Sequence, residues 1–374
     1  MNDESTISSE RAMGCESAKG ANMSYTGLAK DIRTLVRERA HRDIVRELRD
    51  IAGDLQRREA RTLVDWYYQV QEYRKRADNQ LLAQELGDVA ALPFVTWMGA
   101  SVTTLEADLK HMLEDFAAAD PVGQWAMSVR GVGPVISAGL LAHIDIARAP
   151  TVGSIWRFAG LDPSLTWCAE HEAKALVAEV LGDREVTREH IAAAAARLNR
   201  SPQSLLNLWP TDKDTGERKP LTRDNFVSAV KTRPYNGRLK TLCWKIGESF
   251  VKQSGRDDDV YGHLYLSRKQ YEHERNDAGE LEVQAVAMLR RNPNHAQAAI
   301  YRQGRLPDGH LHSRAKRWAV KLFLSHWHEV AYWEHYGEPP PKPYVFTVGD
   351  GDHAHRLRPP NWSPPLKADR KEKD

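Results

Sequence analysis

The stretch MSVRGVGPVISAGLLAHID, residues 127–145, decides how the centre of this chain folds. Gly131 and Gly133 stand one residue apart, and Pro134 follows them directly. Glycine tolerates positive φ and lets backbones approach closely, while proline fits the first position of a helix. The stretch therefore predicts a helix-hairpin-helix in which one helix ends near Arg130 and the next begins at Pro134.

A hairpin of this kind predicts contact with a phosphate group. The first N–H groups of its second helix have no intrahelical partner and lie at the positive end of the helix dipole, so they suit an anion. Such contacts hold nucleic-acid backbone without selecting a base sequence. The residues expected at the phosphate are Arg130, Gly131, Val132, Gly133 and Val135, with Arg148 and Arg157 as supplements. The alternative is an ordinary tight turn between packed helices.

Apolar periodicity predicts two long helical regions ahead of the hairpin, the first of them a single long helix or a helix pair. Apolar residues repeat at spacings of four and three from about residue 29 to 76, and again from Pro93 to about Ala119. The two could pack as an antiparallel pair or form a dimer seam. The Arg-rich outer face of the first region is interleaved with acids, which favours a solvated, ion-paired surface over a DNA-binding one.

An insert over residues 165–233 carries a second candidate motif. VTREHIAAAAARLNRSPQSLLNLW, residues 186–209, predicts a helix capped by Thr187, a short turn, and a second helix opened by Pro202. This is the layout of a helix-turn-helix, whose second helix enters the DNA major groove. The residues that would face DNA are Arg197, Arg200, Gln203, Ser204 and Asn207. The alternative is a helical hairpin that only packs.

Helical patterning returns after the insert in three segments, 235 to about 274 with a break at Ser254, 285–302, and a long last helix over 313–336, and the chain ends in a proline-rich tail. No alternation typical of strands occurs, so the sequence predicts an all-α fold: a long helical hairpin or coiled-coil region, then a helix-hairpin-helix domain with an inserted helix-turn-helix-like subdomain. The predicted segments are a disordered tail (1–26), the long-helix region (27–120), the hairpin (121–164), the insert (165–233), a helical second half (234–338) and the proline-rich tail (339–374).

Composition excludes several classes of protein. The 53 basic and 51 acidic residues nearly balance, so an electrostatic argument for nucleic acid must rest on local patches. Cys15, Cys168 and Cys243 are too widely spaced for a disulfide framework or a metal quartet. We find neither a signal peptide nor an apolar run long enough to span a membrane, and expect a soluble intracellular protein.

Two further sets of residues, one basic and one of histidines, could form binding sites. Six basic residues of the second half could form one surface, although solvated helix charge also explains them: Arg238, Lys240, Lys245, Arg314, Arg317 and Lys321. Seven histidines in or near the last helix invite a zinc interpretation: His310, His312, His326, His328, His335, His353 and His355. Their spacing is not that of a helical zinc motif, so no metal site is predicted.

Four segments together resemble, in order, the C-terminal domain of Piv-invertase-like, DEDD-type insertion-sequence transposases. They are RGVGPVISAGLLAHID (130–145), SIWRFAGLDPS (154–164), GRLKTLCWKIGESFV (237–251) and SRAKRWAVKLFLSHW (313–327). The resemblance spans about residues 120–164 and 234–336, and the helical region at 29–119 fits what the family places ahead of its hairpin. It implies a transposase-like DNA-binding protein of a mobile element, acting in transposition or site-specific recombination.

The resemblance also implies a catalytic serine and a metal-binding half. The family combines a C-terminal serine nucleophile with an N-terminal RNase-H-like domain that carries four metal-binding carboxylates. Ser164 is the nearest match to the serine, but Leu165 stands where the family usually has glycine. Before Ala119 only helical patterning occurs, so the carboxylate domain is expected to be missing. No cofactor is predicted, and Mg²⁺ would enter only with a partner domain that supplies the carboxylates.

The resemblance implies DNA as partner, with structured guide-type RNA as a second one, and a prokaryotic, cytoplasmic, nucleoid-associated location. We expect a homodimer or higher oligomer through the long helices, and no membrane contact. Whether the protein is an enzyme stays open. The alternatives are an active serine-dependent recombinase that needs a partner metal domain, and a non-catalytic helical scaffold or regulator.

Overall fold

The computed structural model describes residues 41–87, 93–164, 167–341 and 357–364. Within these ranges it contains 15 α-helices and no strand, with one isolated antiparallel bridge between Thr211 and Arg218. The predicted all-α fold is therefore confirmed. No helix among the described residues is both long and apolar enough to cross a bilayer. The predicted tail at 1–26 and most of the tail at 339–374 lie outside the described residues.

The described chain forms two compact units, and the first consists of the described parts of Met1–Leu55 and Asp65–Phe116. It contains α1 (His41–Asp50), most of α2 (Arg57–Leu86) and most of α3 (Pro93–Ala118). Gln71 of α2 donates to Glu106 of α3 over 3.0 Å, while Gly99 of α3 lies against Ala77 and Leu81. Because higher numbers on α2 meet lower numbers on α3, the two helices pair antiparallel within one chain.

The second unit consists of Gln56–Val64 and the described part of Ala117–Asp374. Its helices are α4 (Pro121–Ser128), α5 (Pro134–His143), α6 (Val152–Phe158), α7 (Glu170–Leu181), α8 (Arg188–Arg197), α9 (Pro202–Leu206), α10 (Arg223–Lys231), α11 (Gly237–Gln253), α12 (Val260–Asp277), α13 (Glu282–Arg291), α14 (Ala298–Arg302) and α15 (Asp308–Tyr336).

Four aromatic rings form the centre of this second unit. Phe323 of α15 stacks on Trp125 of α4 at 6.0 Å between ring centroids and meets Phe250 of α11 edge-on at 5.6 Å. Tyr261 of α12 stacks on Phe250 at 4.9 Å. Such pairs add to the free energy gained by burying the rings. The cluster therefore joins the hairpin helix α4 to helices that are far away in sequence.

The inserted segment has a hydrophobic core of its own. Ile191 of α8, Leu205 of α9 and Phe226 of α10 are fully buried, and Trp209 stacks on Phe226 at 5.8 Å. Thr187 caps α8 by accepting from the amide of His190. Ala194 and Ala195 of α8 are fully buried in this core, so the segment has enough buried apolar surface to hold its helices together.

Proline explains where two helices differ from the prediction. The helix expected over 285–302 is divided into α13 and α14, because Pro293 disfavours helical geometry at the residue before it. The last helix begins at Asp308 rather than Ser313, directly after Pro307 in the N-cap position. The break expected at Ser254 falls between α11 and α12.

Candidate nucleic-acid interface

The hairpin between α4 and α5 has the geometry that its glycines and proline predict. The amide of Val132 donates to the carbonyl of Val129 over 3.0 Å, and Gly131 has a φ of +88°. Gly133 is the extended N-cap of α5, with Pro134 in the first helical turn. The chain thus reverses within Val129–Pro134 and starts the second helix without a side-chain cap.

The two glycines of the hairpin have different surroundings. At Gly131 an added Cβ would lie 3.3 Å from Ser249 Oγ and 3.4 Å from Phe250, and Ser249 donates to the Gly131 carbonyl over 2.6 Å. At Gly133 an added Cβ would meet nothing within 4 Å. Gly131 therefore turns the chain and docks it on α11, whereas Gly133 leaves the start of α5 open to an outside group.

An open cavity of about 710 Å³ borders this hairpin. Residues 127–133 form one side of it, and Ser249, Gln253, Asp258 and Asn361 line the rest. Asn361 belongs to the segment 357–364 and donates to the Ser128 carbonyl over 2.9 Å. Backbone groups, uncharged polar side chains and the charged pair Arg130 and Asp258 thus line the space beside the open end of α5.

The predicted phosphate residues do not all present their side chains to this space. Val132 and Val135 are buried, so only their backbone groups could reach a ligand. Arg130 is exposed, but its guanidinium donates to Asp258 over 2.9 Å from Nε. The hydrogen bond from Arg130 lowers the pKa of Asp258. The cation beside the hairpin is therefore already paired with the carboxylate of Asp258. The sequence does not predict this partner.

Ser164 lies in a tight turn after α6, and its hydroxyl is held by Asp162. Asp162 Oδ1 accepts from the Ser164 amide at 2.9 Å and from its hydroxyl at 2.7 Å. Burial raises the pKa of Asp162, but the bonds from Ser164 and the charges of Arg157 and Lys321 outweigh it, so the pKa is lowered. Asp162 is thus an ionised acceptor. The sequence alone does not identify this hydrogen-bond partner of Ser164.

Two cations are positioned near this carboxylate. Arg157 Nη1 lies 3.8 Å from Asp162 Oδ2. Lys321 of α15 is half-buried with its Nζ 4.3 Å from the ring centre of Trp156, whose indole donates to the Lys321 carbonyl. Burial lowers the pKa of Lys321. The carboxylate that holds Ser164 therefore has two cations near it, a setting that suits a charged ligand better than an apolar one.

The helix-turn-helix residues occupy different environments. Arg197 pairs with Glu179 at 2.9 Å, and Gln203 donates to Asn207 at 2.8 Å. Arg200, in the turn between α8 and α9, is only 7% exposed. This corrects the DNA-facing position expected for Arg200. The second helix, α9, has five residues, and a DNA contact through Gln203 and Ser204 stays a prediction.

The six basic residues divide by helix. On α11, Arg238 and Lys240 are exposed, and Lys245 is partly exposed. On α15, Arg314 donates to the buried carboxylate of Glu272 over 2.8 Å, so its charge serves the protein interior. Arg317 is exposed, whereas Lys321 belongs to the Ser164 surroundings. The structure thus separates an exposed basic face on α11 from a mixed set on α15.

Two histidines of the last helix act as internal hydrogen-bond partners. His326 Nδ1 lies 2.6 Å from the Tyr261 hydroxyl and its Nε2 lies 3.0 Å from the Leu357 carbonyl, while His328 Nε2 lies 2.9 Å from the Ala149 carbonyl. Within the described ranges, no three His, Cys, Asp or Glu side chains are grouped to hold a metal ion. His353 and His355 lie outside the described residues.

One family comparison covers the hairpin region of the chain. Residues 123–208 match the model of the transposase family IS116/IS110/IS902, and this range contains the hairpin, α6 and Ser164. No curated protein and no solved structure matches the chain. The family match supports a transposase-like protein of a mobile element.

Proposed function

We propose that this protein binds DNA as a transposase-like component of a mobile element, in transposition or site-specific recombination, and that the hairpin Val129–Pro134 holds the phosphate backbone. The open end of α5 at Gly133 carries the proposal, because it lies within the region that matches the transposase family. Gly133 provides no side-chain cap, so the first amides of α5 remain for an outside acceptor.

A bulky residue at Gly133 tests this contact. Gly133 has a φ of −92°, which any residue adopts, so Gly133→Val should fold normally and block the approach of a phosphate. Losing charged hydrogen bonds there should weaken DNA binding by about tenfold. Gly309→Val is the matched control, since Gly309 is also open and lies at the start of a helix outside the family match.

Affinity for duplex DNA, titrated over a range of salt concentrations, provides the readout. We expect weaker binding for Gly133→Val only, with a shallower salt dependence and the same thermal midpoint. Unchanged affinity in a folded Gly133→Val protein would refute phosphate binding by the hairpin.

A second candidate function is serine-dependent strand transfer, favoured by the bond from Ser164 to Asp162. The ionised Asp162 is a weak proton acceptor, so it orients the hydroxyl rather than activating it at neutral pH. A partner domain would then have to complete the catalytic site. Ser164→Ala should abolish recombination while DNA affinity stays unchanged, and full recombination by this variant would exclude the serine as nucleophile.

We extend the proposal to a homodimer formed through one end of the α2–α3 pair, where α2 ends and α3 begins. Leu82 and Leu86 of α2 and Phe94 and Trp97 of α3 are all strongly exposed there, with Leu86 at 81%. Apolar side chains concentrated at one end of a helical pair are typical of an association surface. The first unit would therefore serve assembly, while the second unit binds DNA.

A further inference from the structure

Trp244 is displayed on a rigid support. It lies on α11, where Leu239, Ile246 and Phe250 on the opposite face are fully buried. Trp244 itself is 57% exposed, and it is the one large apolar side chain of α11 that is exposed. Exposing an indole forfeits the free energy of burying it. The core gains no burial from this ring, which points to a partner for its exposed surface.

Lys316 of α15 is held beside this ring. Its Nζ lies 5.6 Å from the ring centre of Trp244, and it also contacts the carboxylate of Glu248. The lysine stem crosses Gly247, where an added Cβ would lie 2.6 Å from Lys316 Cγ. The absence of a side chain at Gly247 therefore allows the ammonium group to lie over one face of the indole, which leaves the other face for a ligand.

A second cation stands one helical turn before the ring. Lys240 Nζ lies 4.3 Å from the ring centre of Tyr235. Tyr235 in turn packs on Gly160, where an added Cβ would lie 2.8 Å from the tyrosine ring, and Gly160 has a φ of +65°. Trp244, Lys240 and Lys316 form what we call the Trp244 platform. A glycine makes room for the packing at each cation: Gly247 for the stem of Lys316, and Gly160 for the Tyr235 ring beside Lys240.

We propose that the Trp244 platform binds an unpaired nucleobase, which stacks on the indole while Lys240 and Lys316 lie near the phosphates of the same strand. The proposal rests on the proposed function and specifies its substrate further: DNA with locally unpaired bases, rather than a fully paired duplex. A base in a duplex has its faces covered by its neighbours, so only an unpaired base can stack on a protein ring. The chemistry is shared by single strands of DNA and RNA.

The charge around the ring favours a nucleic-acid strand over a protein. Helix α11 contains four basic residues and one acid, Glu248. No second exposed large apolar residue of α11 accompanies Trp244, so this helix offers too little apolar surface for a protein interface. A lone ring flanked by cations is typical of single-strand binding, where stacking supplies affinity and lysines follow the backbone.

The test uses the full-length protein and a DNA duplex that carries 2-aminopurine in a single-stranded flap. Stacking on an indole quenches this base, so wild type should lower its fluorescence. Trp244→Ala should abolish the quenching and weaken flap binding by about fivefold or more. Trp244→Phe should retain part of both, and Trp66→Ala is the matched control, since Trp66 of the first unit is 55% exposed.

The outcomes separate this inference from the proposed function. Affinity for a fully paired duplex should be the same in Trp244→Ala and wild type, and the Gly133→Val result on that duplex tests the hairpin alone. An RNA flap of the same sequence shows whether DNA, RNA or both supply the unpaired base. Wild-type quenching by Trp244→Ala, equal loss in Trp66→Ala, or binding to anionic lipid vesicles without quenching of either flap would overturn the inference.

Discussion

Arg130 donates from Nε to the carboxylate of Asp258 over 2.9 Å, joining two residues that are 128 positions apart in the sequence. The pair links the hairpin to the turn ahead of α12. Both side chains are about half exposed, and exposed pairs are weak enough to open. A phosphate at the hairpin, as proposed above, would therefore compete with Asp258 for Arg130, and the pair would then limit the affinity for DNA.

Removing the carboxylate should strengthen DNA binding. Asp258→Asn deletes a negative charge and leaves Arg130 for the phosphate, so affinity should rise at low salt and approach that of wild type at high salt. Arg130→Ala should lower affinity and reduce the salt slope by about one. Asp277→Asn, which opens the similarly exposed pair of Asp277 with Arg305, should have no effect. Weaker binding by Asp258→Asn would contradict the competition.

The two hairpin glycines should differ in what they contribute to stability. Gly131→Ala places a Cβ at positive φ and in contact with Ser249, which should cost about 1–2 kcal/mol. Gly133→Ala should change the free energy of unfolding little, because its φ is ordinary and its surroundings are open. Urea unfolding followed by circular dichroism measures both. Equal losses would show that Gly133 also has a structural role.

The buried carboxylate of Glu272 should make the free energy of unfolding depend on pH. It is 2% exposed and accepts from Arg268 and Arg314. Burial raises its pKa, but these two hydrogen bonds outweigh burial, so the pKa is lowered. A lowered pKa contributes stability that is present above the pKa of the unfolded chain and is lost as the pH falls through that of the folded protein.

Glu272→Ala should therefore cost about 3–5 kcal/mol at neutral pH, because two cations lose their partner. Thermal midpoints of wild type and variant should converge as the pH falls below the pKa of Glu272. Glu280→Ala, which removes the exposed partner of Arg275, is the control and should have a small effect. A constant difference at every pH would argue that Glu272 acts only through packing.

A charge at the end of the α2–α3 pair should dissociate the proposed homodimer. Leu86→Glu adds a carboxylate where two apolar ends would meet, and the exposed position makes misfolding improbable as the cause. Light scattering after size exclusion should give a dimer mass for wild type and a monomer mass for the variant. Identical masses would remove this surface from the assembly.

The sequence determined much of the fold because its signals act over short distances. Apolar spacing predicts the helices α2, α3 and α15, and Gly131 with Pro134 predicts where one helix stops and the next begins. The turn at Ser164 is equally local, since Asp162 reaches it within two residues. Even so, the partner that orients the serine was recognised only from the folded geometry.

The tertiary structure alone decided which charged side chains are exposed and which are buried or paired. Arg200 and Arg130 both stand in a turn between two helices, so the sequence does not distinguish them. Packing buries Arg200, whereas the turn ahead of α12 brings the carboxylate of Asp258 to Arg130. Likewise Trp244 becomes a platform only because Lys316 crosses α11 at Gly247. Burial and ion pairing depend on segments distant in the chain, and no local pattern specifies which segments meet.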